Sequence, residues 1–100
     1  MREITSVKVS CVEFSLGQVV ATPGALGALQ RAGQSAQEFL ARHAVGDWGD
    51  LDAHDRRENA LALREGFRLL SAYRTTAGER LWLITEADRS VPTLLLPDEY

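Results

Sequence analysis

Cysteine is nearly absent from this 100-residue chain: Cys11 stands alone, so no disulfide can form within it. That usage points to a reducing, cytoplasmic setting. Neither His43 nor His54 is near Cys11 in sequence, which favours a half-buried strand residue over a nucleophile. Apolar runs are short, Leu94-Leu95-Leu96 and Val19-Val20-Ala21 among them. A membrane-spanning helix needs about 20 mostly apolar residues, so none is expected. The opening Met1-Arg2-Glu3-Ile4 begins no apolar stretch of signal-peptide length.

Charge of one sign is also scarce. Eleven cations stand against fourteen acids, a net charge of −3. Nucleic-acid-binding domains are usually basic or carry a basic stripe. Here the arginines are scattered, and the one tight pair, Arg56-Arg57, sits between Asp55 and Glu58. This argues against nucleic acid as a partner. The acidic residues Asp47, Asp50, Asp52, Asp55 and Glu58 are too few to imitate DNA, and they fit a helix N-terminus instead. Metal-ligand pairs of the CxxC or HExxH kind, a GxSxG elbow and a Walker sequence are all missing, so no catalytic residue, metal site or cofactor is assigned.

What remains is the composition of an average globular domain, 45% apolar and 25% charged. The length suits one domain over residues 1–100. Residues 1–15 read as an extra strand or a loosely held arm, from the partial alternation of Val7, Val9 and Cys11 with Ser6, Lys8 and Ser10. Residues 17–22 read as a short buried strand. Thr22 followed by Pro23 starts a helix that Gly33 ends. Ser35-Ala36-Gln37-Glu38 has the form of a capping box for a second helix, with Phe39 and Leu40 inward. Asp52 caps a third helix, roughly 53–65, where Asp52 can pair with Arg56. Its buried stripe is expected to be Ala60, Leu61, Leu63 and then Phe67.

After Gly66 the apolar period changes from 3.6 to 2. Residues 67–74 and 80–85 form a hairpin around Thr75–Gly78, and 93–96 forms a third strand. Strand 80–85 is apolar on both faces, which predicts an interior position. The expected fold class is α+β: an N-terminal strand, two or three short helices, then a three-stranded antiparallel sheet, in the order βαααβββ.

Several residues are candidates for function. Residues Thr85 to Ser90 form the densest polar cluster, displayed at a strand end, with Glu86, Asp88, Arg89 and Ser90 as the candidate binding surface. The same cluster also reads as a turn begun by Asp88, and Glu86 and Asp88 carry the oxygen ligands that divalent metals take. Trp48 and Tyr100 read as interface anchors or as covers of a core edge. Asp55 and Asn59 share a helical face with Ala62 and Gly66, and form a candidate polar network holding the Trp48 loop. His43 and His54 read as surface residues. Val20–Gly27 runs strand, glycine loop, helix as phosphate sites do, but it has no lysine, so it reads as a plain helix start.

The segments Ala21–Leu26, Gly46–Gly49, Leu69–Tyr73, Ile84–Ser90 and Leu95–Tyr100 together resemble a group of short bacterial proteins. These occur in plasmids, integrating elements and chromosomes, under labels such as plasmid-related protein or type I restriction subunit. The resemblance spans about residues 16–100. It carries no activity or catalytic residue, and implies a bacterial, mobile-element setting and a counter-defence role.

Three functions are therefore expected in order. The first is a small non-enzymatic module that binds a protein partner, as an inhibitor of restriction or CRISPR complexes does. The second is a toxin resembling the RelE/ParE family, which would use Arg68, Arg74, Arg80 and Tyr100 on RNA or act on gyrase. The third is a homodimeric regulator paired through the leucine-rich strand 93–96.

Overall fold

The structure, a computed structural model, describes the backbone of residues 2–4 and the whole of residues 19–89 and 91–100. The readings made on Cys11 and Ser90, and on most of the 1–15 segment, fall outside the described residues. In chain order the elements are β1 (Arg2–Ile4), β2 (Val19–Ala21), α1 (Pro23–Ala32), α2 (Ala36–Ala44), α3 (Ala53–Glu65), β3 (Leu69–Arg74), β4 (Arg80–Thr85) and β5 (Thr93–Leu95). A short 3-10 turn, Pro97–Glu99, follows. The fold is α+β, as expected.

The sheet differs from the expectation. It is mixed rather than a three-stranded antiparallel unit, with spatial order β1-β2-β5-β4-β3. β2 runs parallel to β5, tied by Val20 N–H to Pro92 O (2.9 Å) and Thr22 N–H to Leu94 O (3.0 Å). All other pairs are antiparallel. Val19 and Ala21 are fully buried, and such a strand needs backbone partners on both sides. β5 is consequently the middle strand, so it offers no edge for two-fold pairing. β4 is interior, as its two apolar faces predict.

The hairpin register pairs Leu70 with Ile84, Ala72 with Trp82 and Arg74 with Arg80. Gly78 takes the left-handed conformation its loop requires (φ 89°). Leu81, Leu83 and Tyr73 lie under α1 and α2 with Phe39, Leu40, Leu29 and Leu94, and form the main core.

Thr22 caps α1 as expected, its hydroxyl accepting from Ala25 N–H (3.1 Å). The same hydroxyl donates to Glu99, whose carboxylate also accepts from Leu96 N–H (2.8 Å). The glycine-loop start of α1 thus faces a carboxylate of its own chain, and a Cβ on Gly24 would come within 2.6 Å of that carboxylate. The Ser35 capping box does not form. Ser35 stands at the N-cap without a side-chain bond, and Glu38 accepts from Gln34 Nε2 (2.6 Å) instead.

α3 is rotated from the face its leucines suggest. Asn59 and Ala62 are buried, whereas Ala60 is exposed, Leu63 is 59% exposed and Phe67 53% exposed. The reason lies at the sheet edge. β3 is the last strand, and its outer backbone groups need partners. Asn59 supplies them for Leu70: its Oδ1 accepts from Leu70 N–H (3.1 Å) and its Nδ2 donates to Leu70 O (2.6 Å). Two residues on, Ala72 N–H donates to Trp48 O (3.0 Å) and Ala72 O accepts from Asp50 N–H (2.6 Å). One side chain and one loop together act as a surrogate sixth strand. Asn59→Ala is expected to cost about 2 kcal/mol, because two backbone groups lose their partners at once. Urea denaturation checks the cost, and the Leu70 amide should exchange faster with solvent.

Candidate functional site

The Gly46–Asp50 loop is built by its glycines and held by arginines. Gly46 and Gly49 have φ of 82° and 74°. Arg42 clasps Asp47 through Nε (2.7 Å) and Nη2 (3.3 Å), holding that carboxyl below its usual range. Arg56 does not pair with Asp52 as the spacing suggested. It donates to Gly49 O (2.6 Å) and Leu51 O (2.9 Å), while Asp52 caps α3 through Asp55 N–H (2.8 Å). Tyr73 donates its hydroxyl to Asp47 O (2.7 Å), and burial pushes its pKa up to about 12. These bonds turn Trp48 inward, where it packs with Leu51, Ala62 and Leu69. Trp48 is thus a cover of a core edge rather than a free anchor.

His43 is buried (3% exposed), which corrects its reading as a surface residue. The α2 helix turns it toward the sheet because Phe39 and Leu40, one turn earlier, face the same way. Its Nδ1 lies 2.6 Å from Ser71 Oγ and its Nε2 lies 2.8 Å from Thr85 Oγ1. The ring also meets Trp48 edge-on, with centroids 5.5 Å apart. Burial first, and then the charge of Arg89, lower its pKa to about 4. The imidazole is neutral at pH 7, so it donates to one hydroxyl and accepts from the other. Histidine within hydrogen-bond reach of a threonine hydroxyl has the form of a nucleophile–base pair, which a third group normally orients. Here the orienting third group is a buried serine, not a carboxylate. The trio serves as a polar bridge from α2 to β3 and β4.

Above this bridge opens a cleft of about 480 Å³. Its walls include Ala44, Val45, Trp48, Leu63 and Leu69, with Thr85, His43 and Arg89 as its polar members. Val45 (73% exposed) and Leu63 form an apolar rim. An apolar cavity of this size with a few convergent polar groups is the usual form of a binding site.

The structure therefore brings Trp48 together with Thr85 and Arg89 of the 85–90 cluster, and adds His43, expected at the surface, and a rim of Val45 and Leu63. Glu86 and Asp88 are exposed on the turn beside Arg89. Among the described residues no group of three His, Cys, Asp or Glu is placed to hold a metal. Tyr100 lies elsewhere. It accepts a hydrogen bond from Arg68 and packs edge-on against Trp82, beside a smaller hollow with Leu70 and Ile84. Arg74 and Arg80 face each other at the opposite end of the hairpin. The four residues of the toxin reading are thus split into two pairs. Asn59 holds Leu70 rather than the Trp48 loop, and Asp55 is half-buried beside a groove shared with Glu58 and Phe67. His54 is exposed, as expected. Among the described residues no helix is long and apolar enough to cross a membrane. No protein-family model, curated protein or solved structure matches the chain.

Proposed function

We propose that this chain is a small non-enzymatic module that binds a protein partner through the cleft between α2, α3 and the end of β4. One observation carries the reading: an apolar cavity lined by Trp48 and Leu69 continues outward onto exposed Val45 and Leu63. Apolar side chains left in water beside a cavity are the usual mark of an interaction surface. Trp48 is pinned by its loop, so the cleft meets its partner already formed, with little ordering left to do. A bacterial mobile-element setting and a counter-defence role belong to the same proposal and rest on the resemblance of the segments above. The cytoplasmic setting rests on the lone cysteine.

The test is a double variant, Val45→Asp with Leu63→Asp. Both positions are exposed, so stability should stay within about 1 kcal/mol of the native protein. Capture of a partner, and protection of phage or plasmid DNA against the inhibited defence system, should both be lost. A folded double variant that still captures the partner at native affinity sinks the reading.

A further inference from the structure

The same cleft is lined by a cation, Arg89. Arg89 sits at its edge with φ 59°, a left-handed backbone that is uncommon for so large a side chain. Its guanidinium is held by backbone carbonyls: Nη1 donates to Phe67 O (2.7 Å) and Glu86 O (3.3 Å), and Nη2 to Ala62 O (3.2 Å). The ion pairs Arg31–Glu79, Arg42–Asp47 and Arg74–Asp50 do not include it. The Ala62 carbonyl belongs to the last turn of α3, so the helix dipole offsets part of the guanidinium charge, and the three carbonyls bring no carboxylate to it. The neighbouring His43 is neutral and brings no second charge.

We propose that the occupant of the cleft is the C-terminal residue of the partner polypeptide, with its terminal carboxylate at Arg89 and its apolar side chain against Trp48 and Leu69. This inference rests on the protein-binding reading and names the part of the partner that enters.

Two features select a chain end. A carboxylate on the same residue as an apolar side chain occurs only at a C-terminus, whereas an internal Asp or Glu carries its carboxylate in place of an apolar side chain. The rim at Val45 and Leu63 extends the apolar surface past the cavity, where the preceding residues of a chain would lie. The hydroxyl bridge serves the same end. In the tautomer that carries its proton on Nε2 of His43, that N–H donates to Thr85, and the threonine proton is free to donate to the carboxylate. Charge-assisted hydrogen bonds of this kind are about twice as strong as neutral ones.

Calorimetric titration of the native protein with two hexapeptides ending in leucine, one a free acid and one a C-terminal amide, tests the proposal. The free acid should bind at least about tenfold more tightly. Arg89→Gln removes the charge, so it should bring the free acid down to the affinity of the amide. Should that variant not fold, the pair of peptides on the native protein decides alone. Equal affinity of the two peptides, binding of neither up to millimolar concentration, or N-acetyl-leucine binding as tightly as the free-acid peptide each overturns the inference. Equal affinity that Val45→Asp with Leu63→Asp abolishes would overturn the chain-end inference and leave the protein-binding reading standing. Loss of partner capture by neither rim substitution would remove the reading itself.

Discussion

Gly49→Ala should destabilise the protein by about 3 to 5 kcal/mol, or prevent folding altogether. Gly49 lies against the open edge of β3, bridged to Ala72. A Cβ there would overlap the Ala72 carbonyl oxygen and come within 2.7 Å of Tyr73 Cδ1. The atoms it would strike are backbone and a buried ring, and neither can swing aside. Gly49 also has φ 74°, where a side chain is strained in any surroundings. Gly33 separates the two effects. It too is left-handed (φ 66°), but nothing lies within 4 Å of a Cβ added there. Gly33→Ala should therefore cost only about 1 to 2 kcal/mol, the conformational term alone. Urea denaturation of both variants measures the difference. If the two cost the same, the loop does not approach the sheet edge as closely as described.

The second large effect is a loss of stability in mild acid, centred on His43. Its folded pKa of about 4 lies below the ordinary 6.5, because burial disfavours the imidazolium and Arg89 repels it. Below pH 6.5 the unfolded chain takes up a proton that the folded chain refuses. Stability is therefore complete above pH 6.5 and falls as pH drops toward 4. At about 1.4 kcal/mol per pH unit, the loss across that window is about 3 kcal/mol. Asp47, Glu79 and Glu99 are also held below their ordinary values, by Arg42, Arg31 and Thr22 respectively. Their contributions persist above the ordinary carboxylate range and are lost at lower pH, so they leave the upper window to His43. Denaturation at several pH values between 7 and 4, with an NMR titration of the His43 ring, checks this. A flat stability profile between pH 6.5 and 5 would contradict the buried neutral histidine. Protonation also re-orders the bridge: an imidazolium donates at both nitrogens, so both hydroxyls must turn to accept.

The local signals in the sequence were legible for identifiable reasons. Thr22-Pro23 and Asp52 each carry their own capping chemistry, and both cap as their residue types require. Gly33, Gly66 and Gly78 stand where the chain needs a left-handed residue. The change of period after Gly66 marked the hairpin, and the two apolar faces of 80–85 marked an interior strand. Ser35 shows the limit of such signals. The capping box has the right residues, yet Glu38 finds Gln34 nearer, so the box stays open.

The candidate site was legible only in part, and α3 shows why. Periodicity assigned the inward face of that helix to its leucines, because apolar burial is the default term. The sheet edge outweighed it. Leu70 has two backbone groups with no neighbouring strand, and Asn59 satisfies both only when its face turns inward. Leu63 was carried out to the rim of the cleft as a result. His43 was missed for a related reason. At the end of a helix beside Arg42 it has the sequence context of a solvated residue, and its partners Ser71 and Thr85 lie 28 and 42 residues away.

By itself, then, the sequence determined the helix starts and stops, the approximate places of the strands and the α+β class. The tertiary structure decided the mixed sheet, the central place of β5, the rotation of α3 and the cleft that follows from it. Capping, turn and periodicity signals act over a few residues and are written in neighbouring letters. The pairing of β2 with β5, the closing of β3 by Asn59 and the burial of His43 join residues far apart in the chain. Those choices are made by the need of buried polar groups for partners across space.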